Sequence, residues 1–189
     1  MEGIKAQADR ILYELGLLDE LEKYGAPHII GSYQMDAMAW NDLDIDVTNE
    51  RMSLERLYRL TASLLQNYRP LWYEAKQETD SEGKTVWFHG FEAILFGERW
   101  NVDIWFFDEE TIRRAEAFGL RMKRQFEWDG AKRDTVIRIK KALIDRGLYA
   151  GAPFTSMDVY RAVLEKGILS EEDFLQCYAK DSGAPPGRR

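Results

Sequence analysis

With 189 residues, 45% apolar and 31% charged, the chain can bury about 70% of its unfolded surface, so it needs neither disulfide nor structural metal to fold. A net charge of −7 excludes a protein that coats long nucleic acid by neutralising phosphates, and the single cysteine, Cys177, excludes an internal disulfide framework. The first residues lack a cationic-then-apolar leader pattern and no apolar run reaches a membrane span of about 18 residues, so the expectation is a soluble, cytoplasmic protein with no membrane partner.

Residues 4–23 read as helical, with Ala8, Ile11, Leu12 and Leu15 on one face and a break at Gly16. The run Pro27–Ser32 reads as a buried strand entering a Gly-Ser turn. Residues 42–47 alternate as a strand does. The clearest helix is 53–68, stopped by Pro70. Strands are expected over 71–77, 85–96 with a possible bulge at Gly90, and 99–107. Asp108 then caps a helical remainder over 109–126, 130–146, 156–166 and 170–180. The fold class is α+β: a core over residues 1–108, a helical C-terminal part over 109–181, and a disordered tail over 182–189.

Chemistry concentrates in two stretches. Gly31-Ser32 ends a strand, Asp42-Leu43-Asp44 opens the next, and Asp103 sits inside the apolar run Asn101–Phe106. Alternation places Asp42 and Asp44 on one strand face, about 7 Å apart. A lone ionised Asp103 among residues that favour burial costs several kcal/mol, and neighbouring carboxylates add repulsion unless a cation joins them. Oxygen-only ligands suit Mg²⁺ or Mn²⁺ rather than Zn²⁺. Gly31 lets backbone N–H groups approach a phosphate, and Ser32 adds a hydroxyl.

Gly31-Ser32, the nine residues to Asp42-Leu43-Asp44, and Asp103 within Arg99–Ile104 together resemble the polymerase-beta-like nucleotidyltransferase superfamily. The stretch Gly31–Ile45 resembles its small bacterial members of the aminoglycoside and lincosamide adenylyltransferase type. The resemblance implies a nucleotidyltransferase-type mixed sheet with flanking helices and transfer of a nucleoside monophosphate from an NTP, ATP first among candidates, to a hydroxyl, with release of pyrophosphate. It implies Asp42, Asp44 and Asp103 as catalytic metal ligands and Gly31 and Ser32 as phosphate binders. A small-molecule acceptor is expected first, a protein side chain next and an RNA end last. The alternative is a nucleotide-binding partner of the same fold without turnover.

Asp42, Asp44 and Asp46 spell D-x-D-x-D, but Val47 and Ser53 stand where a calcium loop needs Gly and Glu. Asp46 is placed outside the metal shell, although a two-residue register shift would exchange it for a member of the pair. Asp103 could instead be a structural partner of Arg99. His28 and His89 lack ligand partners at useful spacing, and Cys177 lacks an activating neighbour. Residues 111–146 hold 11 Lys and Arg against 5 Asp and Glu. Within them Lys132, Arg133, Arg138, Lys140 and Lys141 form a basic helix from which Lys140 is the expected phosphate partner, with Ser156 and Tyr160 as weaker candidates for the acceptor side.

Overall fold

The computed structural model describes residues 2–149 and 153–181. The expected tail at 182–189 lies outside the described residues. Helix α1 (Ile4–Asp9) continues as a π-helical turn over Arg10–Glu14 and ends at Gly16, whose φ of 73° is left-handed, before α2 (Leu17–Glu22). Strand β1 (Pro27–Ile29), the short α3 (Gly31–Gln34) and β2 (Asp42–Thr48) follow. Then come α4 (Leu54–Tyr68), β3 (Trp72–Thr79), β4 (Thr85–Leu95), β5 (Glu98–Phe107) and α5 (Glu109–Trp128). The chain divides into two compact units, Met1–Lys123 and Arg124–Arg189, with the division inside α5.

The first unit holds a five-stranded sheet in the order β1-β2-β5-β4-β3, with β2 and β5 parallel and every other pair antiparallel. Strand alternation sorts its two faces. Leu43, Ile45 and Val47 of β2 and Trp100, Val102, Ile104 and Phe106 of β5 are buried in one core with α4 residues Leu57, Leu60, Leu64 and Tyr68 and with Ile11 and Leu12. Ser53 caps α4 by accepting from the Arg56 amide, and Asp108 caps α5 by accepting from the amides of Glu110 and Thr111. Gly90 is not a bulge. It pairs in unbroken register with Asp103 and Glu74, and a Cβ there would fall 2.5 Å from the Phe88 ring and 3.1 Å from Trp72. Glycine makes room for aromatic rings, not for an extra residue.

His89 is buried in the same core, and its tautomer follows from a hydrogen-bond chain. Thr61 Oγ1 donates to the Leu57 carbonyl, so it accepts from Tyr73 OH at 2.9 Å, which leaves His89 Nδ1 to donate to Tyr73 OH at 2.6 Å. His89 Nε2 is buried with no hydrogen-bond partner. A proton there would meet no acceptor, and burial pushes the imidazole down to about 4.

The second unit contains α6 (Gly130–Asp145), α7 (Ser156–Leu164) and α8 (Glu171–Asp181), with Thr155 and Asp158 forming a capping box at the start of α7. Val136, Ile139, Leu143, Val159, Val163 and Phe174 are among its buried apolar positions.

Candidate active site

The parallel register of β2 and β5 sets Asp42 beside Asn101 and Asp44 beside Asp103. Pleating then places Asp42, Asp44, Asn101 and Asp103 on the same sheet face, opposite the one that carries the core. All four are partly exposed. They are held there because Leu43, Ile45, Val102 and Ile104 are anchored in the core between them.

Asn101, which the sequence reading passed over as an ordinary strand residue, is the polar link between the two strands. Its Nδ2 donates to Asp42 Oδ1 at 2.8 Å, and its side chain also hydrogen-bonds Asp103. Burial raises the Asp103 carboxyl above the ordinary carboxylate range, the Asn101 bond opposes this, and the charges of Glu74 and Glu92 add to the rise. Strand alternation two residues before Asp103 was the signal for Asn101. Arg99 does not pair with Asp103; its guanidinium is bonded to Glu92.

The Gly31-Ser32 turn lies against this face. Gly31 has φ 64°, and a Cβ on it would fall 2.2 Å from Asp44 Oδ2. Only glycine lets the backbone come so near the carboxylate. The Ile30 amide donates to the Asp44 carbonyl at 3.0 Å, which joins the turn to β2. Ser32 Oγ is buried without a hydrogen-bond partner, and a hydroxyl so placed is suited to a ligand's oxygen.

Asp46 sits on the same face but is 2% exposed and lies opposite His28 in the β1–β2 register. Burial, then the charge of Asp44, pushes its carboxyl up to about 7, against a lowering by His28. His28 Nδ1 lies 2.7 Å from Glu116 Oε1 of α5, a pairing across 88 residues for which the sequence carries no local signal. Among the described residues, no three His, Cys, Asp or Glu side chains are gathered closely enough to hold a metal ion as they stand. The donor set nonetheless fits a hard cation: carboxylates only, on one face, with two on directly paired residues and one of those raised by burial.

In the second unit Lys140 is 1% exposed, unlike the half-exposed Lys132 and Arg133 of the same helix. Its Nζ donates to Tyr160 OH at 2.7 Å and lies 4.3 Å from the centre of that ring. Tyr149 OH hydrogen-bonds Ser156 Oγ in a short contact, and the Tyr149 ring lies 6.0 Å from Lys140 Nζ. Lys140, Tyr160, Tyr149 and Ser156 therefore form one polar cluster inside this unit. Cys177 is a free thiol beside Lys166.

No family model and no curated protein matches the chain. Solved structures do. A cytoplasmic RNA terminal U-transferase aligns with TM-score 0.53 and 16% identity over 84% of this chain and 46% of its own. The non-canonical poly(A) polymerase complex GLD-2–GLD-3 aligns with TM-score 0.51 and 14% identity over 87% and 60%. The MgGTP-bound Cid1 poly(U) polymerase aligns with TM-score 0.50 and 16% identity over 74% and 42%. The fold is therefore of the nucleotidyltransferase type, a mixed sheet with flanking helices. The chain spans less than two thirds of the length of each of these structures. No described helix is long and apolar enough to cross a membrane.

Proposed function

We propose that the chain is a metal-dependent nucleotidyltransferase that moves a nucleoside monophosphate from an NTP, ATP first among candidates, to a hydroxyl acceptor. The observation that carries this reading is the pairing of Asp44 with Asp103 beside a Gly31-Ser32 turn whose serine hydroxyl is buried and unpartnered. Asp42 and Asp44 would hold the catalytic Mg²⁺ or Mn²⁺, and Asp103 would complete the set on the acceptor side. When bound, the metal supplies charge neutralisation at the phosphates and a lowered pKa for the attacking hydroxyl. Gly31 and Ser32 bind the β- and γ-phosphates. The acceptor oxygen forms a bond to the α-phosphorus, the bond to the bridging oxygen breaks, and pyrophosphate leaves. Asp103 would take the acceptor's proton.

The RNA polymerases of this fold add nucleotides to a polyanion. Here the net charge of −7 favours a small-molecule hydroxyl acceptor of the adenylyltransferase type over an RNA end. Pyrophosphate release from MgATP, measured over uncharged, cationic and RNA acceptors, tests this. Release only with RNA would overturn the acceptor, and binding of MgATP without release for any acceptor would leave the second reading, a nucleotide-binding protein without turnover.

Lys140 is the proposed cationic partner of the nucleotide's phosphates. Because it is buried, Lys140→Met keeps its volume while removing its charge. The substitution is expected to weaken MgATP binding by about 1.5–3 kcal/mol, the range for a charge-assisted hydrogen bond, and to leave adenosine binding unchanged. Calorimetry with both ligands decides it: equal losses, or none, would make the lysine a structural partner of Tyr160.

A further inference from the structure

Helix α5 meets the phosphate turn at a glycine. Gly119 lies in the helix interior without a positive φ, where glycine is less favourable than alanine by about 1 kcal/mol, so backbone geometry does not call for it. Its neighbour does. A Cβ on Gly119 would fall 1.7 Å from Gln34 Oε1 and 2.6 Å from Gln34 Cδ. Gln34 Nε2 donates to the Glu116 carbonyl at 3.3 Å, and Glu116 lies one helical turn before Gly119 on the same face. The Gln34 amide thus rests across the α5 backbone between these two residues. Gln34 is also the last residue of α3, whose first is Gly31.

The Gly31–Gln34 segment is therefore fixed at both ends by an approach that only glycine permits. Gly31 abuts the Asp44 carboxylate, and the Gln34 amide abuts Gly119. Ser32 lies between the two contacts with its Oγ buried and unpartnered.

We propose that Gly119 is a positioning residue: it seats the Gln34 amide against α5 and thereby sets the depth of the Gly31-Ser32 turn from which Ser32 meets the phosphates of a nucleotide. This inference rests on the reading that the turn binds phosphate. The obstructing atoms belong to the far end of a flexible side chain, so Gly119→Ala can be accommodated by moving Gln34. The fold survives while the turn shifts. A shift approaching 1 Å in a binding group costs up to about 100-fold.

The test measures thermal stability and MgATP affinity on the full chain. Gly119→Ala is expected to unfold at or above the wild-type temperature, because alanine is the better helix former, yet to bind MgATP about tenfold to 100-fold more weakly. Gln34→Ala is expected to show a similar loss, and the double variant no further loss, since both act through one contact. Gly130→Ala, where a Cβ meets open space, is expected to bind as wild type does. Wild-type affinity in Gly119→Ala, losses that add in the double variant, or a lowered unfolding temperature would each overturn the inference while leaving the phosphate reading intact. Failure of the wild type itself to bind MgATP would remove both.

Discussion

Asp44→Asn is expected to abolish most Mg²⁺-dependent nucleotide binding while leaving the metal-free protein as stable as wild type or more so. Residues that merely orient metal ligands cost 10–100-fold when lost, so loss of a carboxylate ligand itself should reach at least about 100-fold, or 2.7 kcal/mol. Stability moves the other way because Asp44 faces Asp103 in register and its charge helps raise the buried Asp46. Removing one of three crowded carboxylates relieves that repulsion when no cation offsets it. Asparagine is nearly isosteric and keeps the backbone contact with Ile30, so the turn is not disturbed by shape. Calorimetry with MgATP and thermal unfolding in EDTA test the two halves separately. An unfolded variant, or a folded one with unchanged affinity, would identify Asp44 as a structural residue.

His89→Leu is expected to change how stability depends on pH, because two buried groups in this unit pull in opposite directions. The His89 imidazole is held down to about 4 against an ordinary 6.5. The unfolded chain therefore binds its proton first, and stability present above pH 6.5 is lost as pH falls toward 4. Between pH 7 and 4.5 that loss is about 2–3 kcal/mol. Asp46, pushed up to about 7 from 3.8, does the reverse: the folded state binds the proton first, and its contribution, full at low pH, is lost as pH rises through 7. In metal-free protein the two slopes offset each other over most of the range from 4 to 6.5. Leucine at position 89 leaves the Tyr73 to Thr61 to Leu57 chain of donors intact and removes only the histidine slope. Urea unfolding at several pH values in EDTA should then show His89→Leu gaining stability relative to wild type by about 2–3 kcal/mol on acidification. Parallel curves would mean that His89 is protonated in the fold and that its Nε2 has found an acceptor.

Much of the fold was legible because its signals are local. Ser53 and Pro70 mark the ends of α4, and Leu57, Leu64 and Tyr68 lie on its buried face as their helical spacing indicates, whereas Leu54, Tyr58 and Leu65, assigned to that face by the same spacing, are exposed and Leu60 is buried in their place. Alternation in Asp42–Val47 and Asn101–Phe106 assigned each residue to a face before any pairing was known, since a strand's period of two leaves only two faces. Gly31-Ser32, Asp42, Asp44 and Asp103 carried a resemblance to the nucleotidyltransferase pattern, and the structural neighbours have the fold that this resemblance implies.

Register, depth and long-range contact were decided only by the tertiary structure. That Asp44 stands opposite Asp103, and Asn101 opposite Asp42, depends on how β2 slides along β5, and either strand alone permits several slides. Gly90 suggested a bulge because a glycine's reason is unreadable until the neighbour that needs its space is in place, here the Phe88 ring. Gly119 had no assigned role for the same cause, since Gln34 lies 85 positions away. Lys140 looked like its basic neighbours on α6, because charge patterning counts residues and cannot tell which side of a helix another will cover. Asp46 and His89 share that lesson. Their altered protonation arises from burial by elements far along the chain, a property of the packed interior that no stretch of sequence carries by itself.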